Sequence, residues 1–367
     1  VLIHCVTQKG RGYSFAQNNP EKFHGATPFN LKTGEPLTQS KIPTYSSVFG
    51  QTMVRLAKED EKILAITAAM PEGTGLRPFA AQFPERFFDV GIAEQHAVNF
   101  AAGLAISGFK PVVAIYSTFL QRAYDQIYHE VGLMDLPVVF ALDRAGVVSD
   151  DGPTHQGIND LIYLRHMPHL VVMSPKDENE LQHMLKSSFA LSHPVAVRFP
   201  KGEGVGLPMD KDFKEILLGQ AELLREGKDL LFALGSMVYP ALEAAKKLER
   251  EGISLAVVNA RFVKPLDERM ILHFARKGRT IITAEEGVIE GGFGSAVREL
   301  LDREKKFEVK FMRIGLPLEI YPLGKAQQIK KKYGLDEEGL FLQIRKFYGK
   351  DKESILKKRG RRRYGQR

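Results

Sequence analysis

The sequence predicts an α/β fold built as two doubly wound parallel-sheet domains, and three observations carry that prediction. Short apolar runs recur along the chain, separated by stretches of helical length with one apolar face. Runs of this kind are buried on both faces, which is the signature of parallel strands covered by helices on either side. The alternation breaks once, at PKGEGVGLPMDKDF over 200–213, whose Gly, Pro and charge are those of a linker. The chain has 367 residues, enough for about two domains and a remainder.

Residues 1–43 read as one short strand, VLIHCV, followed by a long loop rich in Gly, Pro, Asn and Lys. There is no initiating Met and no charged start or cleavage site of a signal peptide. We therefore expect 1–43 to be the end of a preceding domain together with its linker. Thr44, Ser46 or Ser47 can cap a helix carrying Phe49, Met53, Leu56 and Ala57 on one face. Strands are expected over 63–67, 87–90, 112–115, 138–142, 170–173 and 195–199. Helices are expected between them over 93–106, 120–131 and 178–191. This gives a first domain over 44–200, a linker over 201–214 and a second domain over 215–349. The second has expected strands over 230–233, 255–258, 280–283 and 308–312, with helices over 239–251, 267–276 and 296–304. No repeat of solenoid length occurs.

Composition narrows the function. With 44% hydrophobic and 26% charged residues the chain is neither disordered nor fibrous. A single cysteine, Cys5, excludes an intramolecular disulfide and a cysteine-based zinc site. No run of apolar residues is long enough to span a membrane as a helix. Of the formal net charge of +8, all but about one unit lies in the tail over 350–367. The body is nearly neutral, which argues against extensive nucleic-acid contact. The tail reads as a solvated end, with an acidic partner as the alternative.

The most informative stretch is FDVGIAEQHAVNFAA over 88–102. A strand ends, Gly91 turns, and Glu94 falls in the first turn of a helix, where an acidic residue is favoured electrostatically. Ala93, Ala97, Ala101 and Ala102 make that helix thin enough to pack closely. Glu94 is thereby confined, and a confined carboxylate can share a proton with a ring nitrogen. Tyr116 lies at a strand end, where ligand crevices form in open parallel sheets. Phe119 reads as core and Arg122 as a solvated charge. DRAGVVSDDGPTHQG over 143–157 is a turn-rich loop at the same edge. EGGFGSAV over 290–297 opens a helix, and we expect its glycines to serve close packing rather than anion binding. His166 and His169 are near each other in sequence, yet nothing adjacent completes a metal site, so none is expected.

FDVGIAEQHAV strongly resembles the cofactor-activating motif of the 1-deoxy-D-xylulose-5-phosphate synthase family, thiamine diphosphate enzymes of transketolase type. The resemblance continues through KGRGY, AAMPEGTGL, IYSTFLQRAYDQ, DRAGVVSDDGPTHQG, SPKDENE and EGGFGSAV, in order, over nearly all of residues 1–349. It implies a pyrimidine-binding domain followed by a transketolase C-terminal domain. It assigns Glu94 to a hydrogen bond with the pyrimidine ring, a catalytic contact, with Phe119 stacking on that ring and Arg122 in the cofactor pocket. Tyr116, Arg144, Asp151 and His155 are implied to contact substrate. Arg144 can fork onto a phosphate, Asp151 can hold a hydroxyl and His155 can move protons catalytically. Lys201 stands where the family often has Arg, keeping the charge that serves the acceptor phosphate but losing bidentate geometry. Lys9 and His24 match residues that approach cofactor and substrate respectively.

The Gly-Asp-Gly motif with a downstream Asn, which in such enzymes holds the diphosphate through Mg²⁺, does not occur in the sequence. We expect the Mg²⁺ ligands in a diphosphate-binding domain supplied in cis or in trans, and a chain inactive without it. The implied reaction joins pyruvate to glyceraldehyde 3-phosphate in a cytoplasmic homodimer. Two other readings stand beside it: the beta subunit of a 2-oxo-acid dehydrogenase, and a non-catalytic regulatory or RNA-binding relative.

Overall fold

A computed structural model describes residues 1–349, apart from 21, 27, 38, 39, 150 and 277. The basic tail expected over 350–367 lies outside the described residues. The expected opening strand does not form: residues 1–8 are irregular and exposed, with no partner strand among the described residues. The leading loop is organised instead by aromatic packing, with Tyr13 against Phe15, Phe23 and Phe29 at 5.5–5.7 Å.

Thr44 then caps the helix Tyr45–Glu59, its side chain accepting the Ser47 N–H at 3.1 Å. The first sheet takes in β1 (Ile63–Thr67), β2 (Phe87–Asp89), β3 (Lys110–Tyr116), β4 (Val139–Asp143), β5 (Val171–Met173) and β6 (Val195–Arg198). In the second half lie β7 (Glu222–Arg225), β8 (Asp229–Ala233), β9 (Leu255–Asn259), β10 (Phe262–Lys264), β11 (Thr280–Val288) and β12 (Lys310–Leu316). Strand order is β10-β5-β6-β4-β3-β1-β2 in one sheet and β12-β11-β8-β9-β7 in the other. Every pairing is parallel except two: β10 runs antiparallel to β5, and β7 antiparallel to β9. Both antiparallel strands are short edge pieces that the sequence did not announce. The doubly wound, parallel-dominated architecture is the one expected.

The strands are apolar because they are buried on both faces; β1, β4, β8 and β9 are buried at every position. The helix Glu94–Ile106 lays Ala97, Val98, Ala101 and Ala102 on the first sheet, where small residues allow a close approach. The expected helix over 120–131 is instead a chain of short turns ending in a π-helical segment, Ile127–Gly132. A single buried cluster runs from Ile66 and Phe140 in the first sheet to Phe232 and Phe293 in the second half. Polar side chains reinforce that junction. Lys176, Glu180 and Arg261 meet around Asn259, and Glu178 folds the linker back by accepting the N–H groups of Val205, Gly206 and Leu207.

The glycines of EGGFGSAV serve packing, as expected, in a specific way. The helix Phe293–Arg303 begins against the Glu285 carboxylate, which accepts the N–H of Phe293 and Gly294 at 2.7 Å each. A Cβ at Gly292 would stand 2.2 Å from that carboxylate. The chain's own Glu285 carboxyl group therefore occupies the helix start.

Candidate active site

The expected site residues from Glu94 to Lys201 all follow the carboxyl ends of first-sheet strands. The register sets Tyr116 beside Asp143 and Leu142 beside Arg198, so β3, β4 and β6 end together. This edge is where open parallel sheets leave a crevice.

After β2 the chain turns through Gly91, at φ +70°, while the Asp89 carboxylate accepts the N–H of Ala69 and Gly91 at 2.7 and 3.0 Å. Glu94 follows as the first helical residue and is buried, at 3% exposure. Its Oε2 has no hydrogen-bond partner among the described residues. The Arg122 guanidinium stands 3.6 Å from that oxygen, beyond hydrogen-bond reach, and is itself mostly in solvent. A buried acceptor left unsatisfied costs about 1–3 kcal/mol, which a donor arriving from a ligand recovers.

Beside it, Phe119 stacks on Tyr116 with ring centroids 5.5 Å apart and meets the His155 ring edge-on at 5.3 Å. The Arg144 guanidinium lies 3.6 Å over the Tyr116 ring. One arm of Arg144 donates to the Gly73 carbonyl at 2.8 Å and to Asp143 at 3.1 Å; Nε and Nη2 have no hydrogen bond among the described residues. Burial pushes the Tyr116 phenol up to about 12, with Arg144 pulling the other way. Tyr116 is therefore a neutral O–H donor at physiological pH. Asp143, which sequence reasoning passed over, is fully buried; burial raises its carboxyl, while Arg144 and the Ser46 hydroxyl at 2.5 Å draw it down. Its one available signal was its place, as the last strand residue before Arg144.

The loop over 143–157 is held from inside by Gln156, whose amide accepts from the Val148 N–H at 2.9 Å and donates to the Val148 and Gly152 carbonyls. Glu286, from the second half, accepts the Val147 N–H at 2.7 Å and ion-pairs with Lys330. His155 exchanges one bond through Nδ1 with the Thr154 hydroxyl at 3.0 Å, and its Nε2 has no hydrogen bond among the described residues. Asp151 and Lys201 meet each other, at 2.6 Å, rather than standing apart for a hydroxyl and a phosphate. Lys9 and His24 are exposed in the leading loop, and no hydrogen bond or ion pair among the described residues joins them to this cluster.

The donor set suits a flat nitrogen heterocycle: an unpartnered buried carboxylate for a ring N–H, with an aromatic ring and a cation close by. The cationic side chains of Arg144 and Lys201 stand at the same edge. Among the described residues no oxygen-rich set able to hold Mg²⁺ accompanies them. The one candidate metal group, Asp135, His169 and His193, lies elsewhere.

The comparisons agree with this geometry. Residues 41–205 match the family described as transketolase, pyrimidine binding domain, and residues 219–340 match transketolase, C-terminal domain. The 1-deoxy-D-xylulose-5-phosphate synthase 1 of Geobacter sulfurreducens is 56% identical over 343 residues, 93% of this chain and 54% of that protein. The 1-deoxy-D-xylulose-5-phosphate synthase of Desulforudis audaxviator is 56% identical over 91% of this chain and 53% of its own length. The chain thus spans about half the length of the curated relatives it matches. A solved split-gene transketolase, described as an inactive beta4 tetramer, superposes with a TM-score of 0.73 at 33% identity over 83% of this chain and 97% of its own. Transketolase from Leishmania mexicana, at 19% identity and a TM-score of 0.68, shares the fold over 84% of this chain and 46% of its own.

Fold and site together define the paired pyrimidine-binding and C-terminal domains of a transketolase-type protein. Within that class the chain belongs to the 1-deoxy-D-xylulose-5-phosphate synthase family.

Proposed function

We propose that this chain supplies the pyrimidine side and the C-terminal domain of a transferase that condenses pyruvate with D-glyceraldehyde 3-phosphate. The products are CO₂ and 1-deoxy-D-xylulose 5-phosphate, a precursor for isoprenoid, thiamine and pyridoxal synthesis. The working enzyme is a cytoplasmic homodimer completed by a diphosphate-binding domain, in cis or in trans, that carries the Mg²⁺ ligands. The relatives' shared activity supports this reading. The observation that carries it is the buried Glu94 carboxylate with its unpartnered oxygen.

Thiamine diphosphate, when bound, supplies a nucleophilic carbon and an electron sink for decarboxylation. The chain's residues do the rest. Glu94 accepts a hydrogen bond from the pyrimidine and holds or returns its proton, with Arg122 keeping the carboxylate's charge compensated. Phe119 lies against the ring and keeps water from it. Tyr116 donates its O–H toward substrate, and Arg144 offers its free donors to a phosphate. His155 moves a proton through Nε2, and Lys201 adds positive charge beside the acceptor. Lys9 and His24 join the site from the leading loop when the partner domain is present.

The test combines this chain with the diphosphate-binding half of a relative and follows labelled pyruvate to product by NMR. Glu94→Gln should lower turnover by about 100-fold or more, the usual scale for a positioned proton-transfer group. Its circular dichroism spectrum should stay unchanged. Turnover within a factor of about two of the parent would remove Glu94 from the mechanism.

A further inference from the structure

At the opposite edge of the first sheet, three loops bring together side chains the reaction does not use. Asp135 precedes β4, His169 precedes β5 and His193 precedes β6. These strands are neighbours, in the order β5-β6-β4. The register pairs Val171 with Val195 and Val195 with Val139, so the three strands start level. His169 and His193 each stand two residues ahead of the paired Val171 and Val195. Parallel strands lie about 4.8 Å apart, and the two rings emerge side by side. They are nearly parallel, at 11°, with centroids 6.2 Å apart. Asp135 closes the group: its carboxylate oxygens lie 2.8 and 2.9 Å from His193 Nδ1 and 3.8 Å from His169 Nδ1. One ligand atom from each residue lies within 4.8 Å of the other two.

We propose that Asp135, His169 and His193 form a binding site for a divalent cation of the zinc class, remote from the candidate active site. Two imidazole nitrogens and one carboxylate oxygen are borderline ligands, suited to zinc, nickel or copper and poor for Mg²⁺ or Ca²⁺, which take oxygen sets. Tetrahedral zinc, with bonds of about 2.0–2.1 Å, places its ligand atoms about 3.4 Å apart. The 2.8–2.9 Å and 3.8 Å separations from Asp135 bracket that value, and the imidazole ligand atoms lie within 4.8 Å of each other, so side-chain rotation closes the set around a cation. All three side chains are partly exposed, at 34–53%, which leaves the fourth position to water. A cation bound through His193 Nδ1 replaces the hydrogen bond between that nitrogen and Asp135. The cation ties together three strand starts that are far apart in sequence. Its role is to stabilise the sheet from the end away from the chemistry.

The test titrates Zn²⁺ into the chelator-treated, tag-free chain by calorimetry, with thermal unfolding alongside. One equivalent should bind at micromolar Kd or tighter, with a Tm rise of about 3 °C or more at saturation. His169→Gln and His193→Gln should each weaken binding about tenfold or more and remove the Tm rise. His166→Gln should leave both unchanged, and Mg²⁺ should not compete. Circular dichroism confirms that the variants fold; Asp135→Asn, which keeps the side chain's shape, provides an independent loss of affinity. Absence of heat and of a Tm shift at millimolar Zn²⁺ overturns the proposal. So does binding that survives the paired histidine substitutions.

Discussion

Asp160→Ala tests how the two halves are held together. Asp160 opens the short helix Asp160–Leu164 and is buried, at 1% exposure. Its carboxylate takes the Arg198 Nε at 2.8 Å and its own helix's Leu161 N–H at 2.9 Å. Arg198 ends β6, is also buried, and reaches across to the Glu286 carbonyl at 3.1 Å. Removing the carboxylate leaves a guanidinium out of water with one backbone carbonyl as its remaining hydrogen-bond partner. Breaking a buried pair from one side costs about 3–5 kcal/mol, a large part of a typical total stability of about 5–15 kcal/mol. For a chain of this size that lowers Tm by roughly 4–6 °C. Urea unfolding followed by circular dichroism reads the midpoint directly. The double variant Asp160→Leu/Arg198→Met removes both charges with apolar volume in their place and should be less damaged than Asp160→Ala. A cost below about 1 kcal/mol for Asp160→Ala would refute this account. A double variant at least as unstable as the two single changes added together would do so equally.

Glu285 gives a pH signature, because burial pushes its carboxyl up to about 7 from an ordinary 4.5, despite the opposing N–H groups of Phe293 and Gly294. The folded chain then holds a proton that the unfolded chain has released, so stability falls as pH rises from about 4.5 to 7. Glu285→Gln should flatten that slope in denaturation midpoints at pH 5, 6 and 7; an unchanged slope would place the titration elsewhere. Asp143 and Asp177, also raised by burial, act in the same direction. Gly73→Ala puts a Cβ 1.7 Å from the Tyr116 hydroxyl, in a ring flanked by Phe119 and Arg144. Overpacking should cost about 1–3 kcal/mol and appear as a lowered urea midpoint. Thr44→Ala removes the cap on the Ser47 N–H and should cost about 1 kcal/mol by the same measurement.

Much of the fold is legible in the sequence because burial on both faces leaves a mark. The run ILAIT forms the strand Ile63–Thr67 with the expected ends, and strand-end placement alone put Tyr116 at the crevice. A cap was readable at Thr44, Ser46 or Ser47, and the structure selects Thr44. Elements whose identity depends on a partner were not readable. AELLR and RFVK carry no strong period, and become strands only because β9 and β5 offer them an open side. VLIHCV has strand composition but meets no neighbour among the described residues. In the site, the sequence named the side chains but not their pairing: nothing in it shows that Lys201 holds Asp151, or that Asp143 anchors Arg144. Asp135, His169 and His193 are separated by whole strand–helix units, so only parallel register brings them together.

Strand β10 has a consequence for how the chain survives outside a larger assembly. It leaves the second half and covers the open flank of β5, so on that side the first sheet ends in a three-residue strand from the other half rather than in β5. Cutting the chain at the linker would strip that strand away and bare a flat, apolar row of N–H and C=O groups, a template for aggregation. The first half should therefore precipitate when expressed alone, and the intact chain should melt as one cooperative unit rather than domain by domain.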